Sequence, residues 1–141
     1  MFYFLHTDGD AEFAIGSPHL RLMDFLAPRA DEPVLLKNTR NCFTSTTLQA
    51  RLVSLGVRRL AITGIQTEQC CETTARHASD SGFEVDYVTE ATLTFAMTAR
   101  DGRVYTPAEI RARTELVLSG RFARIATVEE ALDHSAARLA A

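Results

Sequence analysis

The sequence predicts a doubly wound α/β fold, in which a mostly parallel sheet lies between two layers of helices. Short apolar segments typical of buried strands alternate with segments that carry helix-capping residues and helical apolar periodicity. Such alternation produces strand-helix-strand units with parallel strands. The 141 residues and the 46% hydrophobic content suffice for one domain with a buried core. We therefore expect residues 1–141 to form a single three-layer α/β/α domain.

The first half of the chain supplies the first strand-helix-strand unit. Three short apolar segments are predicted strands: residues 1–6, 34–37 and 59–63. Residues 17–26 could hold a short helical segment. Thr46 is a candidate N-cap for a helix with one apolar face, and Gly56 is its predicted stop.

The second half continues the alternation. Two further segments are predicted strands: residues 84–89 and 122–126. A long loop is expected to lead from the first of them to Thr106. Thr106 and Glu109 form a capping box with proline between them, which predicts a helix that ends near Gly120. A second capping box, at Thr127, predicts a terminal helix.

A candidate nucleophile lies between the strand at residues 59–63 and Gly82. Residues 64–82 read GIQTEQCCETTARHASDSG. Thr67 could cap the helix that ends at Gly82, which would place Cys70 in its first turn. Unpaired backbone N–H groups and the positive end of the helix dipole stabilise an anion at that position. The pattern therefore predicts that Cys70 is a reactive thiol.

This motif closely resembles the signature of the isochorismatase-like cysteine hydrolases, a superfamily that includes nicotinamidases and N-carbamoylsarcosine amidohydrolases. The resemblance implies that Cys70 is the nucleophile and that Lys37, at the end of a strand, is a catalytic lysine. It also implies a cis peptide bond between Ile65 and Gln66. That bond would turn the backbone N–H of Gln66 to join that of Cys70 in an oxyanion hole.

The resemblance also carries expectations about the substrate. It implies a small amide or carbamoyl compound that is cleaved through a thioester, with no cofactor. Phe43 and Phe95 are expected to line the substrate pocket. Glu90 falls near a position where the family more often has Asp, and we interpret it as a helix or loop cap.

The chain departs from the family in one respect. The family's general base is an Asp at the end of a first strand, upstream of the strand that corresponds to residues 2–5, and we find neither that strand nor the helix after it. We expect an N-terminally shortened domain, in which Asp8 and Asp10 are the nearest acids in sequence. Unpaired edges inside a sheet cost hydrogen bonds. Residues 2–5 should therefore pair with residues 60–63, and the chain should associate as a homo-oligomer.

Two functions remain open. The first is a cysteine-dependent hydrolase of a small amide or carbamoyl compound. The second is a catalytically impaired or non-catalytic isochorismatase-like module for binding or assembly, which lacks the general-base Asp. A nucleotide sequence upstream of Met1 that encoded an aliphatic strand ending in Asp-x-Gln would favour the first.

Composition excludes several other classes. The net charge of -3, the pI of about 5.8 and the absence of a basic run argue against nucleic-acid binding. Three cysteines, two of them adjacent, fit a reducing cytoplasm better than a disulfide framework. No apolar run is long enough for a membrane helix, and we expect no membrane partner. His6 and Asp8, at the end of the first predicted strand, are candidate metal ligands, but their loose spacing favours a solvated loop and no metal.

Overall fold

The computed structural model describes residues 1–9 and 12–139. The strands are β1 (Tyr3–His6), β2 (Val34–Lys37), β3 (Arg59–Ile65), β4 (Glu84–Leu93), β5 (Met97–Thr98), β6 (Val104–Tyr105) and β7 (Arg124–Ile125). The helices are α1 (Leu48–Ser54), α2 (Glu72–Asp80), α3 (Pro107–Leu118) and α4 (Val128–Leu139), and a π-helical turn, Thr67–Cys71, precedes α2.

Parallel pairing dominates the strands, which confirms the predicted α/β class. β1 pairs with β2 in a register that places His6 beside Lys37. β3 pairs with β4, and β4 pairs with β7, both in parallel. The short strands β5 and β6 form an antiparallel hairpin. Lys37 and Ile65 therefore end parallel strands, at the kind of edge where open α/β sheets bind ligands.

The prediction that residues 2–5 pair with residues 60–63 is wrong. Over the described residues, β1 is hydrogen-bonded to β2 and β3 to β4, and the strands form separate sheets. The apolar side chains of the first segment, Phe2 and Phe4, pack against the core. These side chains are therefore partly buried against the core although the backbone of β1 does not pair with β3.

Several element predictions need correction and others are confirmed. Residues 17–26 form successive turns instead of a helix, with three-residue bonds such as Leu20 N–H to the Ser17 carbonyl. The predicted loop before Thr106 contains the last part of β4 and the β5–β6 hairpin, whose two-residue strands are too short to show a periodicity. Both capping boxes, at Thr106 and Thr127, are formed.

The core lies between the helices and the β3–β4 strands. It contains side chains from α1, β3, β4, α2 and α3: Leu48, Leu52, Ile62, Val85, Tyr87, Ala75, Ala78 and Leu118. The buried carboxylate of Glu72 accepts from Arg76 and Arg113, which ties α2 to α3. These contacts fix α2 and the turn before it against the end of β3. In the described part of the chain, no helix has the length and apolar character needed to cross a membrane.

Candidate active site

Cys70 lies on the π-helical turn that joins β3 to α2. Gly64, at the end of β3, has φ of 127°, a conformation that favours glycine. The peptide bond between Ile65 and Gln66 is cis, as the resemblance implies. The π turn follows at once and carries Cys70 as its fourth residue. Turns of this kind occur frequently at functional sites.

Thr67 anchors this turn from within the core, and the prediction that it caps the helix is wrong. Its side chain is fully buried and its hydroxyl is 2.8 Å from that of Thr92. Its carbonyl accepts from the hydroxyl of Tyr87 at 2.6 Å. Burial raises the pKa of the Tyr87 phenol, which keeps its proton and remains a donor. The sequence rule failed because a π turn, and not a capped α-helical turn, begins at this residue.

The amine of Lys37 reaches the sulfur of Cys70. Lys37 Nζ is 3.4 Å from Cys70 Sγ, although the two residues are 33 positions apart. The lysine is only 4% exposed and also donates to the carbonyls of Thr39 at 2.9 Å and Arg40 at 3.4 Å. The contact places a cationic N–H donor directly against the sulfur. The structure thus brings together the two residues that the resemblance selects.

Lys37 is the only lysine in the sequence. Every other cationic side chain that is permanently charged is an arginine. The lysine ammonium is a compact charge on a flexible side chain, so it can contact a single atom such as a cysteine sulfur. The planar arginine guanidinium instead matches planar groups such as carboxylates. This contrast in residue use is a signal in the sequence that supports the selection of Lys37.

His6 belongs to the same cluster, so its interpretation as part of a solvated loop is wrong. His6 Nδ1 is 3.0 Å from Lys37 Nζ, and His6 Nε2 is 3.0 Å from Nη1 of Arg40. Burial, followed by the charges of Lys37 and Arg40, lowers the pKa of His6 below its usual 6.5. The imidazole is therefore neutral at pH 7. Sequence reasoning missed this residue because the contact arises from the β1–β2 register.

The other two cysteines are buried and poorly suited to react. Burial raises the pKa of the Cys42 thiol, and burial together with Cys70 raises the pKa of Cys71 to about 12. Both thiols therefore stay protonated at neutral pH, and the thiolate is the reactive form. Cys70 is the most solvent-accessible of the three cysteines.

We therefore expect iodoacetamide at pH 7.5 to modify Cys70 before Cys42 or Cys71. Peptide mass spectrometry at increasing reaction times measures the order of modification. Modification of Cys42 or Cys71 while Cys70 stays free would contradict the assignment of Cys70 as the reactive thiol.

The two phenylalanines predicted to line a substrate pocket lie in different surroundings. Phe43 is 6% exposed, stacks on His77 with ring centroids 4.8 Å apart, and packs near Phe83. These contacts make Phe43 a core residue, and its role in substrate binding stays a prediction. Phe95 is exposed just after β4, next to Thr94, which donates to Glu68 on the π turn. Its role in substrate binding stays a prediction.

Acidic side chains do not complete this cluster in the described part of the chain. No ion pair joins Lys37 to a carboxylate there, and Asp8 is exposed. Asp10 lies outside the described residues. On the π turn, Glu68 Oε1 is buried without a hydrogen-bond partner. Glu90 accepts from the N–H of Val128 at the start of α4, which confirms its interpretation as a cap.

Two surface cavities lie at different places. The larger, of about 580 Å³, is lined by the starting residues of β3 and β4, Arg59 and Glu84, and by Arg121. The smaller, of about 230 Å³, is lined by Lys37, Thr7 and Ser45. Of these two cavities, the smaller one has Lys37 in its lining, and Cys70 lines neither. Among the described residues, no three His, Cys, Asp or Glu side chains form a group that could hold a metal ion.

The chain is an α/β protein with a cysteine on the turn after a parallel strand and a buried lysine beside its sulfur. A profile described as the isochorismatase domain matches residues 3–127. The chain belongs to the isochorismatase domain family, and the predicted resemblance to that family is confirmed.

Individual relatives agree with this membership. Nicotinamidase 3 of Arabidopsis thaliana is 48% identical over 59 residues, which are 42% of this chain and 30% of that protein. The isochorismatase family protein YrdC of Bacillus subtilis (strain 168) is 26% identical over 112 residues, 79% of this chain and 60% of that protein. The chain thus spans at most 60% of either relative. A crystal structure from the isochorismatase family of Chromobacterium violaceum ATCC 12472 matches with a TM-score of 0.87 and 27% identity, over 94% of this chain and 69% of that one.

Proposed function

We propose that the protein is a cysteine-dependent hydrolase of a small amide or carbamoyl compound. The observation that carries this proposal is the 3.4 Å contact between Lys37 Nζ and Cys70 Sγ. A thiolate held beside a buried ammonium is a nucleophile suited to a carbonyl carbon. The nicotinamidase among the relatives supports an amide substrate.

The reaction would proceed in two steps. The Cys70 thiolate attacks the carbonyl carbon and forms a C–S bond, and the C–N bond breaks as the nitrogen takes a proton and leaves as ammonia or an amine. Water then attacks the thioester, releases the acid and returns the thiol. The backbone N–H groups of Gln66 and Cys70 would hold the oxyanion in both steps, as the family resemblance implies.

The second candidate function is a catalytically impaired or non-catalytic module for binding or assembly. It is favoured by the lack of a carboxylate paired with Lys37 among the described residues, since hydrolysis of the thioester needs a base for water. Association into a homo-oligomer is part of this proposal.

Ammonia release from a panel of amides and carbamoyl compounds tests the two candidates. Nicotinamide and N-carbamoylsarcosine represent the two substrate types, and a coupled enzymatic assay measures ammonia. We expect weak turnover that is abolished by Cys70→Ala. Intact-mass spectrometry during turnover should detect an acyl adduct on the wild-type chain and none on Cys70→Ala.

The outcomes separate the candidates. Robust turnover that depends on Cys70 supports the hydrolase and means that another group replaces the family's Asp. An acyl adduct without ammonia turnover supports the impaired module. Turnover of equal rate in wild type and Cys70→Ala would rule out the thioester mechanism.

A further inference from the structure

We propose that His6 is a positioning residue, whose neutral Nδ1 holds the Lys37 ammonium so that one of its N–H groups points at Cys70 Sγ. This inference rests on the proposed function, because it assigns a role within the same site. It concerns a residue that lies outside the motif around Cys70.

The three N–H donors of the Lys37 ammonium are shared among its neighbours. A lysine ammonium has three N–H donors and no acceptor. The two shortest contacts of Lys37 Nζ are the Thr39 carbonyl at 2.9 Å and His6 Nδ1 at 3.0 Å. Two donors are thereby engaged, and the third remains for Cys70 Sγ or the Arg40 carbonyl, both at 3.4 Å. His6 therefore helps to decide where the third proton points.

A cation lies beside each ring nitrogen of His6, which raises the question of which nitrogen accepts a hydrogen bond. A neutral imidazole accepts a hydrogen bond at one nitrogen only. Lys37 is buried, so water cannot take the place of His6 as its hydrogen-bond acceptor. Arg40 is exposed, so its guanidinium can donate to solvent instead. The lone pair of His6 is therefore placed at Nδ1, toward Lys37. The buried contact is the one that depends on His6.

Protonation of His6 would undo this arrangement. In the imidazolium both nitrogens are donors, so Nδ1 could no longer accept from Lys37 and the two charges would repel. The groups that face His6 are Lys37 from β2, Arg40 and the Thr39 backbone from the following loop, and Asp8 from its own segment. Burial and both cations oppose protonation, while Asp8 and the Thr39 backbone favour it. His6 thus stays neutral until the pH falls below 6.5.

The rate of Cys70 alkylation by iodoacetamide, measured by peptide mass spectrometry between pH 5 and 9, tests this role without a known substrate. We expect His6→Phe, which keeps a ring but no acceptor, to react about tenfold more slowly at pH 7.5. His6→Asn should recover the rate to within about threefold, because Asn Oδ1 can accept near the position of Nδ1. His19→Asn, in an exposed loop, is the matched control and should match wild type.

The pH dependence gives a readout that a merely structural role would not move. The ratio of the wild-type rate to the His6→Asn rate should fall as the pH drops through the pKa of His6, because only wild type loses its acceptor. Arg40→Gln removes one of the cations that oppose protonation, so it should move this fall to higher pH. Proton NMR titration of the His6 ring in both proteins should show the same upward shift.

Each outcome decides the proposal. It is overturned if His6→Phe reacts as fast as wild type, if His6→Asn is as slow as His6→Phe, or if the ratio stays constant with pH. Should His6→Phe fail to fold, the Arg40→Gln shift decides alone, since Arg40 is exposed. If Cys70 stays unreactive in every protein, the proposed function fails, while the NMR titration still reports whether His6 lies between two cations. Fast Cys70 alkylation that ignores His6 removes this inference and leaves the function standing.

Discussion

Replacing Lys37 with methionine is expected to slow the alkylation of Cys70 at pH 7.5 by at least about tenfold. The substitution removes a buried positive charge 3.4 Å from the sulfur and leaves a side chain of similar length. Without that group the sulfur loses the cationic N–H donor that would stabilise the negative charge of the reacting thiolate. Any hydrolysis should be lost in parallel. Iodoacetamide kinetics on the intact chain, with identification of the modified peptide, measure the effect.

The matched control is Arg58→Met, which removes an exposed cation just before β3. Solvent and salt screen such a charge, so the alkylation rate should change by less than about twofold. A Lys37→Met chain that is folded and alkylates at the wild-type rate would show that Lys37 does not activate the sulfur.

Truncating Tyr87 to alanine is expected to lower the free energy of unfolding by about 4 kcal/mol. The side chain is fully buried at the centre of the core, and its removal leaves a cavity. It also removes the donor to the Thr67 carbonyl at the start of the π turn. Urea denaturation followed by circular dichroism measures the loss. The Cys70 turn should lose its reactivity together with stability.

Tyr87→Phe separates the hydrogen bond from the packing. It keeps the ring and should cost only about 1 kcal/mol. Tyr105→Phe, at a half-buried position of the β5–β6 hairpin, serves as the control and should change stability by less than about 0.5 kcal/mol. An equal loss in Tyr87→Phe and Tyr87→Ala would mean that the hydrogen bond, and not the packing, dominates.

The sequence was sufficient to select Cys70 and Lys37, because one lies in a long motif and the other ends an apolar strand. Both signals are local, and parallel strands bring their ends together. The contact between His6 and Lys37 is not local, because it arises from the register of two strands whose partners are 31 positions apart. The burial of Phe43 likewise depends on α2, whose His77 covers its ring.

The backbone conformation of the turn at Thr67 could not be predicted from local capping patterns either. A threonine three residues before a reactive cysteine is a reasonable cap, yet Thr67 is drawn inward by Thr92 and Tyr87. Capping boxes were predicted correctly at Thr106 and Thr127 because all their partners lie within four consecutive residues. Predictions therefore held where the determining contacts are close in sequence.

The division of the sheet has a consequence for the order in which the native state opens. Lys37 belongs to the β1–β2 pair and Cys70 follows β3, so the reactive pair bridges two separately hydrogen-bonded units. The N–H of Cys42, bonded to Thr74 Oγ1 at 3.1 Å, is a second bridge between them. Proteins open in such cooperative units at different free energies. In native-state hydrogen exchange, the amides of β1 and β2 should exchange at lower denaturant than those of β4, so the ammonium and the sulfur part before the molecule unfolds.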